Sequence, residues 1–525
     1  MRVWGRRRDV RAAVLVAALS SVGLMVPDGT GSGPVVLVAA AVPGDVRTDF
    51  NGDSFGDLVV GTFNEDTSVP DAGGVNVVYG QAAGLGSGGN QFFTQASCPQ
   101  IADGLYEFDY FGYATAIGDF NGDLFHDLAV GVPGEFNRGV RFAGEVNILY
   151  GTTTGLTCSG AQAWSPPLPD EGNISLANFG SALAVADFDL DGYEDLAVGN
   201  PNEDLSSADR AGAVYVLYGS PGGIGGRVGF WHQDRSGVSD VPEAGDGFGY
   251  ALAAGQFGHS LHPDLAVGVP GEDLAVADAG VVHVLYGSAT GVGAVQEDLW
   301  NQDSAGIEGQ VEQGDQFGTE LAAGNFGQGL NDDLAIGVPY EDTTVQNAGA
   351  VNVIYGASTG LTSAANRILF QGDRGVAGVS EPAEFFGSSL ATADFGYTPF
   401  DDLAIKVTED YTPQGPSGAV HIIHGSSSGV VPSSLDQFWT PPDLGDTNGH
   451  FGPLAAANLG RGNQADLAIG MPFETVSGVP LAGSVAVMYG TITGLSPAGS
   501  QVWSQGPLAD APEPDDNFGI VVTAH

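Results

Sequence analysis

The chain alternates short apolar runs with clusters of Gly, Pro, Asn and Asp, and this alternation repeats. The stretch FGSALAVADF (179–188) recurs as FGYATAIGDF (111–120), FGYALAAGQF (248–257), FGTELAAGNF (317–326) and FGSSLATADF (386–395). It returns more loosely as FGPLAAANLG (451–460), and the step between copies is 65–69 residues. After each copy comes a second apolar run. These runs are DLVVG (57–61), DLAVG (127–131, 195–199, 264–268), DLAIG (333–337, 466–470) and DLAIK (402–406). A third, Gly-bounded run follows, from GVNVVYG (74–80) to GSVAVMYG (483–490). A fourth often carries Trp, at Trp164, Trp231, Trp300, Trp439 and Trp503. Each unit therefore predicts four short β-strands, and no window sustains a helical period.

A four-stranded unit repeated along an all-β chain predicts a β-propeller. An elongated β-solenoid is the alternative, although solenoid repeats are usually shorter. The blade count argues for closure. Seven DLxxG-type runs are present, yet only six complete FG segments precede one, because the first unit opens at Asp49-Phe50. The missing FG strand stands at the other end of the chain, from Phe518 to His525. The expected fold is thus an all-β, seven-bladed propeller of four-stranded blades. Its C-terminal strand (about 518–525) completes the first blade, which leaves no free edge at the seam.

Acidic loops join the FG strand to DLxxG. In DFDLDGYED (187–195), Asp187, Asp189 and Asp191 stand at positions 1, 3 and 5, and Asp195 at 9. Tyr193 offers its backbone carbonyl at 7, and Gly192 supplies the turn. Two further loops keep this spacing. One holds Asp49, Asn51, Asp53, Asp57 and the carbonyl of Phe55; the other holds Asp119, Asn121, Asp123, Asp127 and the carbonyl of Phe125. Hard oxygen ligands in a flexible loop suit Ca²⁺ better than Mg²⁺. Packed carboxylates repel, and a divalent ion offsets that repulsion. A solvated turn is the alternative for any single loop; three loops at one place in the repeat point to about three calcium sites. The other four loops decay, although Asp394 and Asp402 leave a fourth site open. The position-9 Asp persists in all seven, which suggests a structural job such as fixing the loop by backbone hydrogen bonds.

With these motifs in place, the FG…DLAVGxP pattern resembles FG-GAP repeats, which build the seven-bladed propeller of integrin α subunits and occur in secreted bacterial proteins. The resemblance implies calcium loops on one face and ligand-contacting loops on the other. It implies a non-catalytic adhesion or recognition module for an extracellular protein or glycan. FG-GAP repeats also accompany the catalytic domain of a glycosylphosphatidylinositol phospholipase D, so a hydrolase with its site inside the propeller is the alternative. A structural envelope protein is another. No inserted adhesion domain, leg domain or transmembrane segment is found in the mature chain, so pairing with a β subunit does not carry over.

Composition sharpens this reading. The chain has 15 Lys+Arg against 63 Asp+Glu. Residues 1–41, with Arg2, Arg6, Arg7, Arg8 and Arg11 before an apolar stretch, read as a secretory signal ahead of a single propeller domain at 42–525. A retained N-terminal anchor is the alternative. Without five Arg and two Asp of that segment, 10 basic and 61 acidic residues remain, a net charge of −51. Such a field repels nucleic acid and anionic lipid and attracts cations. A secreted or cell-surface location follows. Cys98 and Cys158 are expected to pair in an exported chain, the alternative being two buried thiols. Glu65, Glu135, Glu203, Glu272, Glu341 and Glu474, with Asp410, lie eight residues past the position-9 Asp. They read as turn caps, or as an acidic docking ring opposite the calcium loops. The GSSSG at 425–429 matches a nucleophile elbow but stands where other repeats have a hairpin tip.

Overall fold

In a computed structural model, the described residues run from 48 to 524, except 68, 102–104, 138–139, 168–177, 206–207, 294–295, 409–410, 413–414, 417, 446–449 and 509–510. The expected signal segment and Asp410 lie outside them. Seven four-stranded antiparallel sheets form. In the third blade the strands are Ala182–Ala186, Asp195–Asn200, Ala213–Leu217 and Val228–Trp231, in that order from the axis outward. The second and third strands of that blade are buried throughout, so they carry continuous Val, Leu and Ala rather than an alternating pattern. The first blade is composite. Its innermost strand is Val521–Thr523, paired with Leu58–Thr62 through Val59–Thr523, Val60–Val522 and Gly61–Val521. First strands touch their neighbours all the way around, so the ring closes.

The motifs have a packing cause. The FG phenylalanines Phe111, Phe179, Phe248, Phe317, Phe386 and Phe518 are fully buried between blades. The glycine ending DLAVG lies against the next blade's FG backbone; a Cβ on Gly131 would overlap the Gly180 carbonyl oxygen. Only glycine permits that approach. Lys406 takes this position in the sixth blade, where the following FG segment is one residue shorter (Phe451 to Leu454, against Phe386 to Leu390). Cys98 and Cys158 form a disulfide, Cα–Cα 5.1 Å, which joins the outer edges of the first and second blades.

The glutamates after DLAVG are not an exposed ring. Glu65, Glu135, Glu272 and Glu341 are buried, and each accepts a hydrogen bond from a glutamine of the preceding blade. The donors are Gln505 (3.0 Å), Gln95 (2.5 Å), Gln233 (2.6 Å) and Gln302 (2.5 Å) respectively. Each stands two residues past the Trp position of the fourth strand. Two further positions belong to the set. A buried acid precedes FG (Asp109, Asp246, Asp315, Glu384, Asp516), and a buried Asn or His sits in the third strand (Asn76, Asn147, His283, Asn352, His421). Where one member is missing, the others are missing too. Entering the third blade, the sequence has Pro166, Ala177 and Tyr215; entering the seventh, Pro441, Gly449 and Ala486. There the glutamates bond within their own blade, Glu203 to Asn200 and Glu474 to Ser484. Four junctions are thus closed by a glutamine–glutamate bond, and entering the sixth blade Gln371 meets His421, Asp410 lying outside the described residues.

Burial pushes Glu272 up to about 9 and Asp246 up to about 6, so this pair holds a proton near neutrality. Gln233 bonds to both carboxyl groups. Replacing Gln233 by Ala removes the donor both acids share. Urea unfolding should read a loss of about 1–3 kcal/mol, the cost of a buried polar group left unmade.

Candidate metal centre

The loops between first and second strands lie together at one end of the ring. In all seven, the position-9 Asp spends both oxygens on backbone N–H groups. Asp195 accepts from Phe188 and from Gly219, each at 2.9 Å. Asp57 does the same with Phe50 and Gly80, and Asp127 with Phe120 and Gly151. Asp264, Asp333, Asp402 and Asp466 repeat the pattern. This Asp ties the loop to the end of the third strand, which is why it stays when its neighbours decay. Burial raises Asp57 and Asp127 to about 8 and Asp195 to about 7, against the opposing pull of those N–H donors.

The first three loops wind around their own carboxylates. Position 1 accepts two or three backbone N–H groups: Asp49 from Asp53 (3.0 Å) and Ser54 (2.7 Å), Asp119 from Gly122 (2.7 Å), Asp123 (3.0 Å) and Leu124 (2.8 Å), Asp187 from Asp191 (3.0 Å) and Gly192 (2.9 Å). Position 5 accepts from position 7, in Asp53–Phe55, Asp123–Phe125 and Asp191–Tyr193. The winding needs left-handed backbone at positions 4 and 6, found at Gly52 and Ser54, Gly122 and Leu124, Leu190 and Gly192. One glycine per loop relieves that cost, at position 4 in two loops and 6 in the third.

The third loop differs at position 3. Asn51 and Asn121 turn inward to accept their own loop's N–H at 2.9 and 2.8 Å. Asp189 replaces them. Asp187, Asp189 and Asp195 then bring oxygens to within 4.8 Å of one another, and no other trio of His, Cys, Asp or Glu does so among the described residues. Asp191 stays exposed outside the trio. Asp189 Oδ1 is buried with no hydrogen-bond partner, while its Oδ2 takes the Arg227 guanidinium at 2.5 Å.

Four loops have exchanged charge for packing. Position 3 is Gly258, Gly327, Gly396 or Gly460, where a Cβ would overlap a backbone oxygen of the next blade's hairpin. Position 4 then supplies a covering side chain. His259 lies on Tyr286 at 4.3 Å, Tyr397 on His424 at 4.8 Å and Arg461 on Tyr489 at 4.2 Å. Gln328 bonds the Ser428 carbonyl. In the sixth loop His424 Nδ1 lies 3.0 Å from Asp402, and Asp394 bonds the Gly396 N–H. The covering residues, the junction glutamines and Arg227 were not legible beforehand. The Trp-x-Gln spacing in three repeats was the only available signal for any of them.

The repeat matched on both sides of these loops is known. The FG-GAP repeat family matches at residues 111–149 and 179–217, which contain the second and third acidic loops. The chain is an FG-GAP repeat propeller of the integrin-α-like kind. Integrin alpha-5 of Xenopus laevis is 30% identical over 241 residues, 43% of this chain and 21% of that protein. Integrin alpha-V of Gallus gallus is 33% identical over 173 residues, 32% of this chain and 15% of the other. The phosphatidylinositol-glycan-specific phospholipase D of Bos taurus is 31% identical over 215 residues, 39% and 24% of the two chains. The FG-GAP propeller thus spans about a quarter or less of these relatives. Among the described residues no helix is long and apolar enough to cross a membrane.

Proposed function

We propose that this protein is an exported, calcium-stabilised propeller that acts as a non-catalytic recognition module for an extracellular protein or glycan. The observation that carries the calcium reading is the trio Asp187, Asp189 and Asp195, with one buried carboxylate oxygen unpartnered. Asp191 and the carbonyl of Tyr193 complete its ligand set. Asp49, Asn51, Asp53, Asp57 and the Phe55 carbonyl would hold a second ion. Asp119, Asn121, Asp123, Asp127 and the Phe125 carbonyl would hold a third. The donor sets are all hard oxygen, as Ca²⁺ prefers. The sixth loop is left out, because His424 already pairs with Asp402 and Gly396 packs against the next blade. A bound ion would supply charge neutralisation and loop rigidity.

Recognition is assigned to the opposite end. There Tyr113, Tyr250, Tyr340 and Phe473 are exposed, and exposed aromatic side chains of this kind anchor interfaces. Calorimetric titration of residues 42–525 should give three calcium sites, and an array of glycans and matrix proteins should give calcium-dependent binding that Y250A weakens. No calcium uptake sinks the metal reading. Binding unaffected by Y113A, Y250A and Y340A sinks the face assignment. The phospholipase D similarity favours a hydrolase as second reading, tested by phosphodiesterase and esterase screens of the same protein.

A further inference from the structure

We infer that Arg227 is a built-in competitor for the third cation site and sets its affinity; this rests on the calcium reading above. In the first and second loops the ligand set contains three aspartates and one asparagine. In the third it contains four aspartates, because Asp189 replaces the asparagine. The guanidinium of Arg227 meets that extra carboxylate at 2.5 Å. Counting it, all three sets carry the same net charge. The side chain is held rather than free: its guanidinium carbon lies 3.3 Å from the centre of the Tyr218 ring. A cation over an aromatic face is favourable on its own account. Asp189 is nearly buried on its side chain, whereas Arg227 is half exposed and able to withdraw.

The seventh blade shows what such an arginine does when the loop has lost its acids. Arg461 lies over Tyr489, the equivalent ring, and bonds the Ala83 carbonyl. Positions 1, 3 and 5 of that loop are Asn458, Gly460 and Gly462, and only Asp466 remains. The guanidinium there bonds the backbone carbonyls of Ala83 and Gly499 and covers the ring. The third blade has both devices at once, an acidic loop and an arginine over its tyrosine. A divalent ion entering the trio must therefore share Asp189 with Arg227, or displace it.

The test is calcium titration of residues 42–525 and of R227Q, R227K, D189N and the double variant D189N/R227Q. A unit charge removed about 5 Å from a divalent ion in watery surroundings shifts binding by roughly tenfold. R227Q should tighten one site of three by about that factor and leave two unchanged. R227K should stay near wild type, and D189N/R227Q should return toward the wild-type affinity. Tb³⁺, with its higher charge, should gain more than Ca²⁺ from R227Q. Tyrosine-sensitised Tb³⁺ emission, compared with Y193F, reads the third loop by itself. A third-loop site that is unchanged or weaker in R227Q overturns the inference, and so does R227K behaving like R227Q. Failure of the wild type to bind any ion would instead overturn the calcium reading, so the two failures are distinct.

Discussion

Chelating calcium should lower the unfolding free energy of the propeller by about 8 kcal/mol under saturating conditions. Each site filled at a hundredfold excess over its dissociation constant contributes about 2.7 kcal/mol, and three sites add if they are independent. The measurement is thermal or urea unfolding in calcium and in chelator. D49N, D119N and D187N should each remove close to one third of the difference. A melting temperature indifferent to chelator would mean that the loops are solvated turns.

The pH dependence should also change with calcium. Asp57, Asp127 and Asp195 have folded pKa values raised to about 8, 8 and 7, mainly by burial. The unfolded values lie near 4. Between those limits the chelated folded state binds more protons than the unfolded chain, so its stability is greatest at acid pH and falls as pH rises from about 4 toward 8. Calcium takes the place of those protons and should flatten that part of the slope. Asp264, Asp333 and Asp466 in the decayed loops, and Glu272 and Glu341 at the junctions, are also raised by burial. They contribute the same sign in both conditions. The difference between the two curves is therefore the readout, and a difference independent of pH would count against proton–calcium exchange.

Opening the ring should cost nearly as much. Phe518 is fully buried, and its backbone N–H bonds the Ala482 carbonyl at 3.0 Å. Val522 pairs with Val60 to seat the closing strand in the first blade. Phe518→Ala should cost about 3–5 kcal/mol, the range for a large buried ring cut to a methyl group. Deleting 518–525 should do more. It removes the strand, leaves Leu58–Thr62 as a bare edge and exposes both sides of the junction between the seventh and first blades. Loss of cooperative unfolding and association through that edge are the expected results, read by urea melts and light scattering. A truncated chain with an unchanged midpoint would show that closure depends on the disulfide and side-chain locks instead.

Much of this was legible in the chain because the repeat reports its own geometry. FG and DLAVG recur wherever a phenylalanine fills a junction and a glycine lets two blades touch. The pairing of the two chain ends followed from counting incomplete units. The acidic spacing was legible too, since positions 1, 3, 5 and 9 are set by local backbone winding. The glutamates at 65, 135, 272 and 341 were harder. Their spacing read as turn caps or an exposed ring, yet their partners come from a blade that ends about 40 residues earlier, or from the far end of the chain for Glu65. No local pattern marks a contact of that kind.

By itself, then, the sequence determined the number of blades, the closing strand and the loops rich in aspartate, because each depends on neighbours within one unit. Only the tertiary structure decided which carboxylates meet, that Asp191 stands apart while Asp189 turns inward toward Arg227, and that buried acids join glutamines across four junctions. Those outcomes depend on how one blade packs against the next, where burial sets the cost of every unpaired charge.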